Sequence, residues 1–383
     1  MLKDVPNILP QSGVCISALA YFCSWLNAAL ELLAPFLHSF IIYLMRTGGE
    51  GSSLETMRER SGPVLGLISH LILWPVVRTT RASPMYQLSS GTVNDSPPAY
   101  WYDLRRGQVP LAPSVIFVYV HGGGFCSHLH TDVLFAAAVL PRLKARGMQA
   151  RVLSLDYTCA PMASRDTQLA QLMHGWRLLA SSNDNAVLVL AGDSAGGHLV
   201  TSMVHIMCEQ PVSRPARLPD VLLAISPWLA VVEGSPLPSH VRNQLRGTDF
   251  LSIPLLGAFS RAAAHGINHM LPDDVHKEDG HHAVAALLRN RPLALPWPTT
   301  AVFVGGGEIL ADDGRRLAAS LTRLVREQRD HHGGDRRVKL FDVDDAVHVF
   351  PLLPILDVRR GDAARAMDAT VDFVCNELLG SRL

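Results

Sequence analysis

Three short segments of this chain carry residues whose types and spacing suit acyl transfer. In Gly192-Asp193-Ser194-Ala195-Gly196-Gly197 a serine stands between glycines. The segment lies between an apolar run at 186–191 and a helix-compatible apolar run at 199–208. Strand, tight G-x-S-x-G turn and helix in that order make a nucleophile elbow, which lifts one hydroxyl above a parallel sheet. Glycine at 192 and 196 has a mechanical reason, because strand and helix close on each other there and the serine occupies a strained turn. A serine used this way needs a base to take its proton, an acid to orient that base, and donors for the oxyanion.

Seventeen histidines compete for the role of base. His348 alone follows the last strand-like run (338–343) and precedes the last helical run (363–379). His281, His282, His331 and His332 come in pairs in polar loops and need no role beyond solvation. Glu308 directly follows the apolar run 300–304 and is the candidate acid. Asp312 is its rival, although Asp312 and Asp313 also suit the first turn of a helix, where acids favour the dipole. Asp344 and Asp345 adjoin His348, but a sequence neighbour rarely faces the imidazole it must orient. Oxyanion donors are expected from the backbone of His121-Gly122-Gly123-Gly124 and from Ala195. A β-rich run at 115–120 before that turn and Phe125 after it argue against a flexible linker.

The elements that must position these residues alternate along the chain. Strand-like runs at 115–120, 150–155, 186–191, 221–225, 300–304 and 338–343 are separated by helical patterns at 133–146, 168–179, 199–208, 317–325 and 363–379. That rhythm predicts an α/β fold, a mainly parallel sheet with helices on both faces. Residues 230–297 break it: Pro, Gly and His abound, and the segment reads as a cap insertion of short helices. The division expected is an apolar N-terminal region, 1–84, and a catalytic domain, 85–383.

Together these segments resemble the hormone-sensitive-lipase-like esterases of the α/β-hydrolase fold. The resemblance rests on His121-Gly122-Gly123-Gly124-Phe125, Asp156-Tyr157 with Ala160-Pro161, Gly192 to Gly197, Ser226-Pro227-Trp228, Glu308-Ile309-Leu310 with Asp312, and His348-Val349-Phe350. It implies a capped α/β-hydrolase that hydrolyses carboxylic esters without a cofactor or metal. Ser194 would be nucleophile, His348 base and Glu308 acid, with Gly122, Gly123, Gly124 and Ala195 around the oxyanion. The chain departs from the family in two places: Glu308-Ile309-Leu310 replaces the usual Asp-Pro-Leu, and Met162 replaces the acid that usually follows Ala-Pro. The partner expected is a small-molecule ester. Acyl transfer or lactonisation in a biosynthetic pathway is an alternative outcome of the same machinery, and a non-catalytic ligand-binding receptor a more distant one.

Composition narrows the rest. Across 383 residues, 34 basic side chains balance 34 acidic ones, which lacks the electrostatic footprint of a nucleic-acid binder. Cys15, Cys23, Cys126, Cys159, Cys208 and Cys375 are scattered, which suits buried thiols better than a disulfide framework or a zinc site. Residues 5–30 carry no charge and apolar character resumes to 45, enough length for a membrane span. Pro35 and interspersed polar residues leave cap helices and a signal peptide as alternatives. The expectation is association with a membrane, that of the endoplasmic reticulum, with a cytoplasmic location as the alternative. It also resembles membrane-bound fungal relatives such as steryl-acetate hydrolases.

Overall fold

The computed structural model describes residues 99–102, 115–160, 162–183, 185–209, 217–229, 237–265, 293–332, 336–353 and 361–380. Its centre is a seven-stranded sheet. In chain order the strands are β1 (Ala99–Tyr102), β2 (Val115–Val120), β3 (Ala150–Leu155), β4 (Val187–Asp193), β5 (Val221–Ile225), β6 (Thr299–Gly305) and β7 (Val338–Val343). Across the sheet they run β1-β3-β2-β4-β5-β6-β7. All neighbours are parallel except β1, which pairs antiparallel with β3 through Trp101 opposite Leu153.

Strands β2, β4, β5 and β6 read as nearly unbroken apolar runs because both of their faces are covered. Alternate residues of β2 serve opposite layers. Phe117 and Tyr119 pack with Phe135, Val139 and Leu143 of α1 (Thr131–Ala145) and with Met367, Val371 and Val374 of α7 (Asp362–Gly380). Ile116, Val118 and Val120 face the other layer. That layer also holds Leu172 and Trp176 of α2 (Arg165–Ser181), Leu199 and Met203 of α3 (Ala195–Glu209), and Leu317 and Leu321 of α6 (Ala311–His332). The expected α/β architecture is the one found.

Boundaries extend a little beyond the apolar patterns. Helix α3 begins at Ala195, four residues ahead of the apolar run, because the glycines after the serine are themselves helical. Strand β1 has no alternation long enough to announce itself, being only four residues at the sheet edge. Within 230–297, the described residues hold two helices, α4 (Pro238–Arg246) and α5 (Ile253–His265). Residues 1–98, on which the membrane-span and cap-helix expectations fall, lie outside the described residues, as do Cys15, Cys23, His281 and His282. Among the described residues no helix is long and apolar enough to cross a membrane. Cys126, Cys159, Cys208 and Cys375 are free thiols, and burial pushes the first three up to about 12.

Register aligns every strand end that carries chemistry. Val120 pairs with Gly192, Asp193 with Ile225, and Gly305 with Val343, so the loops after β2, β4, β5, β6 and β7 leave one edge of the sheet. Ligand sites of open α/β sheets form at this carboxyl edge. Gly196 lets α3 approach it: a Cβ there would meet the backbone oxygens of Val120 and His121, the latter at 2.6 Å. Gly147, by contrast, has only a left-handed φ of 73° to protect, with open space around it. Gly147→Ala should therefore cost about 1–2 kcal/mol, and Gly196→Ala clearly more, since neither backbone oxygen can yield. Urea denaturation of the two variants checks this; equal losses would refute the close-approach argument.

Candidate active site

Ser194 sits at the turn between β4 and α3 with a left-handed φ of 53°, a conformation costly for a side chain other than glycine. Its backbone is held from three sides. The Ser194 N–H donates to the Ile225 carbonyl at 2.9 Å, and its own carbonyl accepts from the N–H groups of His198 and Trp228, each at 3.1 Å. The side chain remains 8% exposed in an otherwise sealed region.

The neighbouring Asp193 carboxylate is buried and all three of its recorded hydrogen bonds converge on Oδ1. The Tyr119 hydroxyl donates at 2.6 Å, the Thr131 hydroxyl at 2.8 Å and the Gly122 amide at 2.9 Å. Burial pushes this carboxyl up, and the three donors pull it back. The Gly122 amide is thus committed to Asp193, which corrects its expected place among the oxyanion donors. Among the described residues no acceptor takes the amides of Gly123 or Gly124. Ala195 is the first residue of α3, where an amide has no intrahelical acceptor.

His348 and Glu308 meet as expected, at 2.8 Å between Nδ1 and Oε2. Both are buried. The other Glu308 oxygen accepts the Gly305 amide at 3.0 Å, and Ser226 hydrogen-bonds the carboxyl as well. The Ser226 hydroxyl oxygen also accepts the Val349 N–H at 3.0 Å, so one side chain braces both the Glu308 and the His348 loop. Burial pushes Glu308 up and His348 down. His348 and Asp193, the residue before the serine, lie near enough for each charge to act on the other.

Asp312 does not compete for the imidazole. Its carboxylate accepts the Ser239 N–H at 2.8 Å and pairs with Arg315 at 3.2 Å. Asp313 accepts the Leu229 N–H at 2.9 Å and lies 2.8 Å from His240 Nε2. Both belong to the first turn of α6.

Sequence reasoning missed the supports that come from the insertion. Asp249 is buried and accepts N–H bonds from Phe250 (2.8 Å), Ile309 (2.7 Å) and His348 (3.4 Å). It therefore ties the loops of Glu308 and His348 together, and burial pushes it up to about 6. Asn243 donates to the Glu308 carbonyl at 2.6 Å, and the Thr248 hydroxyl donates to the Gly307 carbonyl at 2.7 Å. Nothing in the local pattern around 243–249 signals these roles, because each depends on a partner about 60 residues or more away.

A family model described as alpha/beta hydrolase fold matches residues 117–351. The chain belongs to that family. An esterase from Acinetobacter venetianus is 28% identical over 208 residues, covering 54% of this α/β-hydrolase and 60% of the relative. The carboxylesterase/phospholipase LipF of Mycobacterium tuberculosis is 28% identical over 218 residues, 54% of this chain and 50% of that one. A putative steryl acetyl hydrolase of Schizosaccharomyces pombe is 25% identical over 171 residues, 44% of each. The chain spans about half the length of these relatives. Among solved structures, a hormone-sensitive lipase from a metagenome library superposes with a TM-score of 0.57 at 18% identity, covering 89% of this chain and 97% of that one. That likeness agrees in fold with the hormone-sensitive-lipase-like resemblance of the motifs.

The Asp193 arrangement has a measurable consequence. Tyr119→Phe removes one of three donors from a buried carboxylate and should cost about 1–3 kcal/mol. The midpoint of urea unfolding should fall while the slope stays constant; an unchanged midpoint would mean the phenol is dispensable to Asp193.

Proposed function

We propose that this α/β-hydrolase is a serine carboxylic ester hydrolase in which Ser194, His348 and Glu308 act as nucleophile, base and acid. The observation that carries the reading is the buried 2.8 Å bond from His348 Nδ1 to Glu308, set on the same sheet edge as a serine held at positive φ. With Nδ1–H donated to the carboxylate, the lone pair of Nε2 is the one available to the serine proton. Ser194 Oγ attacks the ester carbonyl while its proton passes to Nε2. The amides of Gly123, Gly124 and Ala195 receive the developing oxyanion, and the alcohol leaves with the proton from Nε2. Water then repeats the sequence on the acyl-enzyme. The names of the relatives, an esterase, a carboxylesterase/phospholipase and a putative steryl acetyl hydrolase, support this chemistry.

The substrate class we infer is a short-acyl ester of a hydrophobic alcohol. It rests on the apolar sequence at 5–45, which would bring the enzyme to a membrane where such esters partition. Ser194→Ala should abolish turnover of p-nitrophenyl acetate and butyrate while leaving the fold intact by circular dichroism. Turnover that persists would assign the nucleophile elsewhere.

The acid limb of the pH profile tests the base. Burial lowers His348, and the negative charges of Asp249, Asp193 and Asp313 oppose that shift. The base is neutral and competent above its pKa, so kcat/KM should be lost as pH falls through a value below the usual histidine range. A limb at or above the ordinary histidine range would remove the buried His348 as the base.

A further inference from the structure

Five side chains that the ester chemistry does not use gather behind the oxyanion turn. His121 opens that turn, His128 and His130 follow it, Asp132 lies in the first turn of α1 and Asp156 follows β3. The ligand atoms of His121, His128 and Asp156 all lie within 4.8 Å of one another. His128 Nε2 stands 3.3 Å from Asp156 Oδ1, and His121 Nε2 stands 3.9 Å from the same oxygen. Two nitrogen or oxygen ligands on one tetrahedral zinc, each at roughly 2.0–2.1 Å, stand about 3.3 Å apart. The His128–Asp156 pair already has that spacing, the His121–Asp156 pair needs to close by about 0.6 Å, and the two histidine nitrogens start within 4.8 Å of each other.

His121 is preset as a ligand. Its Nδ1 lies 2.7 Å from the Gly122 carbonyl oxygen, a distance at which that nitrogen must carry the proton. The lone pair of the neutral ring is therefore on Nε2, the atom that faces Asp156. Metal-ligating histidines commonly donate their other ring N–H to a carbonyl in this way. The ring is also stacked on Tyr157, centroids 4.3 Å apart and planes at 11°, which fixes its direction. His128 packs edge-on against it at 3.9 Å.

We propose that His121, His128 and Asp156 bind one divalent cation of the zinc class, with a fourth position left for water. Two imidazoles and one carboxylate suit zinc, cobalt or nickel and not magnesium or calcium, which prefer oxygen ligands throughout. A second triplet, His128, His130 and Asp132, shares His128. It is the poorer site: His128 Nε2 is 3.6 Å from Asp132, and Asp132 already accepts the Tyr102 hydroxyl at 2.7 Å. A cation held by the first triplet would fasten the residue before Gly122 to the loop after β3, and so stiffen the backbone that carries the oxyanion amides. The proposal does not depend on the ester reading.

The test uses the full chain, stripped with chelator and titrated with cobalt(II) and then zinc. The expected results are one cobalt per chain with the strong visible bands of four-coordinate cobalt, displacement by zinc, and a rise in Tm with zinc in excess. His128→Ala and Asp156→Asn should each weaken zinc by roughly tenfold or more, the scale on which disturbed metal sites respond. His130→Asn, which keeps a residue tolerant of the left-handed φ of 54° found there, should bind as the parent does. Binding unaffected by both His128→Ala and Asp156→Asn would place the metal on other histidines and overturn the assignment. Loss in His130→Asn with retention in Asp156→Asn would overturn it in favour of the second triplet. Absence of any cobalt spectrum or Tm shift in the parent would end it.

Discussion

The buried carboxylate of Asp193 is the constraint on which the carboxyl edge of the sheet depends. A charge in that position would be costly to desolvate without compensation, and three donors from three separate elements supply it: Tyr119 on β2, Gly122 in the oxyanion turn and Thr131 at the start of α1. Because Asp193 immediately precedes Ser194, that serine and the His121–Gly124 turn are fixed by a single side chain. Neither can shift without exposing the carboxylate or breaking a bond to it.

Strain collects around the same edge. Phe125, Ser194, Ser226 and Val349 all adopt left-handed φ angles between 45° and 67°. Each such residue costs on the order of 1–3 kcal/mol and persists only where its surroundings over-determine it. Here the surroundings are visible. Ser194 is held by Ile225, His198 and Trp228, while Val349 donates to the Ser226 hydroxyl and Ser226 donates its N–H to Phe303. The parallel sheet, with both faces buried, gives these turns a rigid base.

Much of this was legible in the order of residues. The strands at 115–120, 150–155, 221–225 and 338–343 appear at the bounds read from the sequence; those at 115–120 and 221–225 are covered on both faces and leave a continuous apolar signature, whereas 338–343 is partly exposed and carries Lys339 and Asp342. Glu308 and His348 were identifiable from their places after β6 and β7, and they meet at hydrogen-bond distance. The Gly122 amide was misjudged, since sequence cannot tell which of three consecutive glycines turns its N–H inward to Asp193. Asp249, Asn243 and Ser226 were not identifiable as supports. Their partners are contributed by distant loops, and a lone polar residue in an irregular segment looks the same whether it faces solvent or a buried acid.

Helix α5 also reaches the His121–Gly124 turn directly. A Cβ placed on Gly124 would run into the ring of Phe259 on α5, and the Cys126 thiol lies 3.9 Å from the Phe259 carbonyl oxygen. The aromatic ring thus occupies the space that a side chain at 124 would claim. The space beside Gly124 is closed by a segment that contributes none of Ser194, Glu308 and His348. The same segment holds Asp249, which bonds the backbone of Ile309 and His348, so a change within it reaches the space beside Gly124 and the Glu308–His348 pair together.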